Sequence, residues 1–186
     1  MSALSTLAAL GFRDNAVRRF QAAYCGPPTG ANVEGWLSID GMLGPKTEDS
    51  INWVAGNGNR LSTHFTTAEV ACKHCGEPYV RRELLSALEA LRDDVKQPIH
   101  LLSAYRCAEH NKSVGGVWYS THTIGAGCDI NIARTRITVA QAKRVGRFSG
   151  IGNRGTLASH LDVRHLFPDQ NKTPGVTPAR PALWAY

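Results

Sequence analysis

The chain has 186 residues, of which 42% are hydrophobic and 19% are charged, with a formal net charge of +6. This length can bury a sizeable core, and no apolar run approaches the roughly 20 residues of a membrane span, so membrane insertion is not expected. The basic residues are scattered and not interleaved with aromatic ones, which disfavours nucleic acid and leaves either an acidic partner or plain solvation as the reason for the charge.

The first segment, residues 1–56, has the pattern of a small module of three short helices. Apolar residues recur at helical intervals on both sides of a break at residues 11–14, and a last helix is predicted to begin after Gly44-Pro45. The stretch over residues 25–30 is rich in turn formers. Residues 55–59, Ala-Gly-Asn-Gly-Asn, resist regular structure and are predicted to be a linker.

The second segment, residues 61–167, is predicted to be an α+β domain. Helices are predicted over residues 81–95 and 138–147, where apolar residues follow one helical face. Short strands are predicted over residues 98–104, 128–132 and 159–163. The proline-rich residues 168–186 are predicted to form an irregular tail.

The residues that carry chemistry are concentrated in this second segment. A hydrolytic zinc site needs three protein ligands from histidine or carboxylate and one open position for water. His122, Asp129 and His160 meet that requirement, although each of them taken alone is more often a structural residue. Strand alternation places Asp162 on the same face as His160.

Residues 61–164 also resemble peptidase family M15, the group of D-Ala-D-Ala carboxypeptidases and phage endolysins. The correspondences follow the family's order: Leu61-Ser-Thr-His-Phe65, Glu69, Cys72, Ser103-Ala-Tyr105-Arg106, His110-Asn111, Val114-Gly-Gly116, Ser120-x-His122-x-x-Gly125-x-x-x-Asp129 and His160-x-Asp162. The resemblance implies a DD-peptidase/hedgehog-like fold with a catalytic zinc ion on His122, Asp129 and His160.

The same resemblance suggests roles for residues beside the metal. It places Arg106 where a guanidinium can stabilise an oxyanion or anchor a substrate carboxylate, with an ordinary salt bridge as the alternative. It assigns substrate binding to Tyr105 and Ser120, and for Ser120 a role in stabilising the loop is an equal alternative.

The general base is not evident from the sequence. Related branches of the family carry Glu or Asp three residues before the last histidine ligand, and Leu157 stands there in this chain. Asp162 is the first candidate base, in competition with a role in which it holds the second ring nitrogen of His160. Weaker candidates are His165, Glu109 and His110.

Residues 17–47 resemble the small three-helical peptidoglycan-binding domain that accompanies many wall hydrolases. The matching residues are Val17-Arg-Arg-Phe20-Gln21, Asp40-Gly41 and Gly44-Pro45-Lys46-Thr47. The resemblance implies that peptidoglycan is the partner of this chain.

Five cysteines, an odd number without disulfide-framework spacing, fit a chain made in a reducing cytoplasm. Cys72-Lys-His-Cys75 and Cys107-Ala-Glu-His110 have the spacing of a structural zinc site, with a disulfide or buried free thiols as alternatives. Cys128 is predicted to point away from the metal.

The sequence therefore favours a zinc peptidase that cleaves peptidoglycan, as a D,D-carboxypeptidase or as an L,D- or D,D-endopeptidase. A non-catalytic wall-binding protein that keeps the zinc fold is the alternative, because Leu157 replaces the expected acid. A cysteine peptidase using Cys107 or Cys128 is a third reading. Since residues 1–5 lack a signal-peptide pattern, a monomeric endolysin is expected, held in the host cytoplasm until lysis.

Overall fold

The structure, a computed structural model, describes residues 2–26, 36–170 and 175–186. Its helices are α1 (Ala3–Ala9), α2 (Ala16–Ala23), α3 (Pro45–Gly56), α4 (Thr67–Val70), α5 (Arg82–Val95), α6 (Ala108–Ser113) and α7 (Val139–Val145). Its strands are β1 (Leu101–Ser103), β2 (Gly127–Ile130), β3 (Gly150–Arg154), β4 (Leu157–Asp162) and β5 (Ala182–Ala185). The predicted α+β class is confirmed.

A buried glutamine fastens the turn of the front segment to helix α2. The Gln21 side chain is 1% exposed; its amide nitrogen donates to Asp40 Oδ1 at 2.9 Å, and its oxygen accepts from the backbone N–H of Gly41 at 2.8 Å. Gly41 has a φ of 80°, which favours glycine. The Phe20-Gln21 and Asp40-Gly41 motifs therefore have a packing role in this segment.

One hydrophobic core joins the front segment to the α+β part of the chain. Buried members come from both sides, including Leu7, Phe20, Ile51, Val54, Leu61, Phe65, Leu84 and Leu88. The backbone N–H of Cys25 donates to the carbonyl of Leu61 at 2.9 Å. Helix α3 extends through Gly56, so the first two residues of the predicted linker are helical, and most of the turn-rich stretch over 25–30 lies outside the described residues.

The five strands form one mixed sheet in the order β1-β2-β4-β3-β5, with helices α5 and α7 packed against each other beside it. Strands β2 and β4 are antiparallel, and their register pairs Asp129 with His160 and Gly127 with Asp162. This register places a carboxylate beside an imidazole at the centre of the sheet. None of the helices in the described ranges has the length and apolar character needed to cross a bilayer.

The end of the chain joins the sheet, so the prediction of an irregular tail over residues 168–186 was wrong for its last residues. Strand β5 pairs in parallel with β3, with Gly152 opposite Trp184, and the backbone N–H of Tyr186 donates to the carbonyl of Asn153 at 3.0 Å. A side chain at position 152 would collide with both aromatic rings. Glycine at position 152 therefore leaves room for the rings of Trp184 and Tyr186 beside β3.

Candidate metal centre

Three side chains converge where strands β2 and β4 meet the short 3-10 turn Thr121–Ile124. Asp129 Oδ1 lies 3.3 Å from His122 Nε2 and 2.9 Å from His160 Nδ1, and the two nitrogens are 3.3 Å apart. Atoms about 2.1 Å from a tetrahedral zinc ion lie about 3.4 Å from one another. The three atoms therefore fit the separations that such an ion requires.

The orientation of the His122 ring is set by a backbone carbonyl. Its Nδ1 lies 2.6 Å from the carbonyl oxygen of Ala104, which can only accept, so Nδ1 donates and Nε2 keeps its lone pair for a metal. Ser120 begins the turn by accepting the His122 backbone N–H at 3.3 Å, and Gly125 ends it with a φ of 70°. Burial lowers the pKa of His122 despite its bond to Asp129, which favours the neutral ring that a ligand must be.

Arg106 holds the Asp129 carboxylate in place. Its guanidinium donates to Asp129 Oδ2 and, through Nε, to the hydroxyl of Ser103 at 3.0 Å. Oδ1 is left facing the two histidines. Burial raises the pKa of Asp129, but the hydrogen bonds with His122 and His160 outweigh it, so the pKa lies well below its usual range and the group is ionised.

Asp162 stands behind the His160 ring. Its Oδ2 lies 3.0 Å from His160 Nε2, its side chain is 0% exposed, and Arg164 donates to it from Nε at 2.9 Å and from the backbone at 3.1 Å. Carboxylates in this position orient a metal-binding histidine and raise its basicity. Of the two roles left open for Asp162, its location favours holding the ring over activating water.

An open cavity of about 620 Å³ lies over the three side chains. Four charged residues line it, namely Arg106, Arg154, Arg164 and the carboxylate of Asp129. Ser120, residues 114–117 and Tyr119 also line it. Arg106 is paired with Asp129 and Arg164 with Asp162, so Arg154 is the lining arginine without an ion pair among the described residues and can attract an anionic ligand.

The C-terminal strand supplies an aromatic wall that sequence reasoning missed. The ring of Trp184 lies 5.2 Å from that of His160, and the guanidinium of Arg164 lies 4.9 Å from the Trp184 ring centre. Tyr186 lines the same cavity. Only the parallel pairing with β3 brings these residues to the site, and no local pattern in the sequence indicates that pairing. Arg164 was also missed, because it lies beyond the end of β4 in the 3-10 turn Arg164–Leu166, where strand alternation gives no signal.

Several residues considered from the sequence do not reach the cavity. Tyr105 is 8% exposed and packs edge-on against Tyr79 at 5.3 Å, which favours a packing role. His165 donates its backbone N–H to the hydroxyl of Ser149 and does not line the cavity. Glu109 and His110 lie on helix α6 and are also outside the cavity lining. Among the described residues that line the cavity, Asp129 is the only one with a carboxylate side chain. No general base is therefore assigned.

Replacing Asp162 with asparagine is expected to weaken zinc binding at this centre by about 10- to 100-fold, because the second ring nitrogen of His160 loses its charged partner. Competition titration with a chromophoric chelator measures the affinity. Asp169→Asn is the matched control, since Asp169 is exposed and outside the cavity. Unchanged affinity together with lost turnover would instead identify Asp162 as the base.

The family model described as Peptidase M15 matches residues 59–163, which is more than half of the chain. The matched region contains all three converging side chains and ends one residue after strand β4, so it excludes the front segment and β5. The curated proteins contain no match to the chain. The chain belongs to peptidase family M15, whose members are zinc enzymes.

Proposed function

We propose that this protein is a zinc peptidase that hydrolyses peptide bonds of bacterial peptidoglycan, with the metal held by His122, Asp129 and His160. The observation that carries the proposal is the convergence of three ligand atoms, 2.9 to 3.3 Å apart, under an arginine-lined cavity. Zinc bound there supplies a Lewis acid and a water molecule whose pKa is lowered to about 7.

Arg106 is proposed to position Asp129 and also to bind an oxygen atom of the substrate. Its bonds to Ser103 and Asp129 occupy Nε and one terminal nitrogen. A guanidinium has five N–H donors, so others remain for an oxygen of the substrate. Because Arg106 lines the cavity beside the metal ligands, these donors are available to the negative charge that develops when an amide carbonyl is attacked.

The charge of the cavity supports an acidic peptide as substrate. Arg106 and Arg164 are paired with Asp129 and Asp162, whereas Arg154 makes no ion pair within the described ranges. Arg154 and the charge of a bound zinc ion would suit the free carboxylates of peptidoglycan stem peptides, at D-glutamate and at the terminal D-alanine. Ser120 is proposed to contact the peptide backbone, since this residue lines the cavity. The cavity is open, which suits cleavage of a terminal residue and of an internal bond alike.

The role of an endolysin is proposed on the resemblance of both segments to wall hydrolases. The front segment, packed onto the peptidase through a common core, would bring the cavity to the wall. Under this proposal the protein acts as a monomer on peptidoglycan after release from the host cytoplasm.

A second candidate function is binding of the wall without catalysis. It is favoured by two observations. Asp129 has the only carboxylate side chain among the described cavity-lining residues, and Leu157 begins strand β4 where related branches carry an acid. The cysteine peptidase has no comparable support. Cys128 is buried with the pKa of its thiol raised well above its usual value, and Cys107 does not line the cavity.

Mass spectrometry of peptidoglycan digested with the zinc-loaded protein separates these functions. New amine termini or released D-alanine are expected, lost on treatment with a chelator and restored by zinc. The masses of the products identify the bond that is cut. Sedimentation of the protein with the wall but without any product, at every pH and zinc concentration, would establish the binding function instead.

A further inference from the structure

A second group of metal-binding side chains lies outside the cavity. The sulfur atoms of Cys72, Cys75 and Cys107 are within 4.8 Å of one another, and His110 Nδ1 lies 3.3 Å from Cys72 Sγ. We refer to these four residues as the cysteine cluster. All of its cysteines are free thiols, and none of the four lines the cavity over His122, Asp129 and His160.

The first half of the cysteine cluster has the backbone of a metal-binding turn. The backbone N–H of Gly76 donates to the carbonyl of Cys72 at 2.8 Å, and Gly76 has a φ of 76°. The N–H groups of Cys107, Cys75 and His74 point at Cys72 Sγ. Three N–H donors directed at one sulfur atom suit a thiolate, the form that binds metals.

The second half of the cysteine cluster is the first turn of helix α6. Cys107 is the N-cap residue, and its sulfur accepts the backbone N–H of His110 at 3.5 Å. The Cys-x-x-His spacing directs the cysteine sulfur and the imidazole toward the same turn over residues 72–76. Two short chain segments, distant in sequence, therefore bring three sulfur atoms together, with His110 Nδ1 beside one of them, Cys72 Sγ.

We propose that Cys72, Cys75, Cys107 and His110 bind a second zinc ion with a structural role. Three thiolates and one imidazole form a ligand set that selects zinc, and four protein ligands leave no open position for a reacting water. The inference goes beyond the proposed peptidase activity and does not depend on it.

The position of the cysteine cluster explains what such an ion would stabilise. Cys107 directly follows Arg106, whose backbone N–H donates to the carbonyl of His122 at 3.2 Å, and the N–H of Tyr105 donates to Val70 at 3.2 Å. The carbonyl of Ala104 orients the His122 ring. A metal ion bound by the cysteine cluster would fix residues 104–107 at Cys107. It would thereby hold Arg106 in place beside Asp129.

His74 is the competing fourth ligand and serves as the control. Its Nδ1 lies 3.5 Å from Cys107 Sγ, but its side chain is 53% exposed and lies 3.8 Å from the Glu109 carboxylate. The His110 ring is less exposed and lies closer to the central thiol of Cys72. The proposal therefore expects His110→Ala to lose the ion and His74→Ala to keep it.

Metal analysis in a His160→Ala background tests the proposal without reference to activity. One zinc per chain is expected to remain after gel filtration, and to be lost when Cys75→Ser or His110→Ala is added. Cys25→Ser and His74→Ala are the matched controls and should retain it. Cobalt in place of zinc should give a thiolate-to-metal charge-transfer band in the His160→Ala protein that Cys75→Ser removes. Loss of the ion should also lower the Tm by about 10 °C.

Alkylation of the unsubstituted protein keeps the test valid if a variant fails to fold. With zinc bound, Cys72, Cys75 and Cys107 should be protected from an alkylating reagent, and a chelator should expose all three, as mapped by mass spectrometry. Protection that persists with chelator and disappears with a reductant would overturn the proposal in favour of a disulfide. A His160→Ala chain that retains no zinc, or a cobalt derivative without the thiolate band, would also overturn it.

Discussion

Replacing His160 with alanine is expected to lower kcat/KM for peptidoglycan hydrolysis by about 1000-fold or more. The substitution removes one of the three proposed ligand atoms and leaves Asp162 buried without its imidazole partner. The zinc ion is then lost, and with it a Lewis acid that supplies several kcal/mol of transition-state stabilisation. Release of muropeptide fragments, measured against time by chromatography, gives the rate.

His165→Ala is the control for this change. His165 is a histidine of the same domain that contacts Ser149 and does not line the catalytic cavity. Its loss should change kcat/KM by less than about twofold, since the residue neither lines the cavity nor contacts the three proposed ligands. A His160→Ala protein with near-normal turnover and an unchanged circular dichroism spectrum would contradict the proposed ligand set.

Substitution of Arg106 by alanine is expected to lower kcat/KM by about 100- to 1000-fold, the usual effect of removing one donor to a developing oxyanion. Arg106→Lys should recover little of this loss. A lysine presents a point charge and cannot reproduce the planar fork that reaches both Ser103 and Asp129.

Zinc affinity separates the two proposed actions of Arg106. If the guanidinium only positions Asp129, saturating zinc should restore the activity of Arg106→Ala. If it also contacts the substrate, kcat should stay low with the metal site full, which is the result we expect. Arg147→Ala, on an exposed arginine that donates to Ser86, is the matched control. Normal kcat/KM in Arg106→Ala would exclude any catalytic role.

The elements that carry the proposed metal ligands could be predicted because their signals are local. The apolar face of helix α5 and the short apolar strands around Asp129 and His160 are visible as periodicity within a few residues. His122 and Asp129 are only seven residues apart, on the turn Thr121–Ile124 and the strand that follows it, so their pattern is also local. Strand alternation placed Asp162 beside His160 but left its role open, and only the observed contact with the far side of that ring distinguishes the two.

What the sequence did not indicate depends on long-range pairing. Strand β5 follows a proline-rich stretch and is stabilised by its parallel pairing with β3, so neither periodicity nor turn chemistry predicts that Trp184 reaches His160. The role of Gln21 is similar, because its partners Asp40 and Gly41 are about twenty residues away. The general base stays unassigned, because Asp129 has the only carboxylate side chain among the described residues that line the cavity.

Anomalous diffraction at the zinc absorption edge, from crystals of the zinc-loaded protein, tests most directly whether these side chains hold the metal. We expect a peak about 2.0 to 2.2 Å from His122 Nε2, Asp129 Oδ1 and His160 Nδ1, with the remaining position open to the cavity. Absence of a peak there in a zinc-loaded, catalytically active protein, or a metal bound to His160 through Nε2 in place of its contact with Asp162, would contradict it.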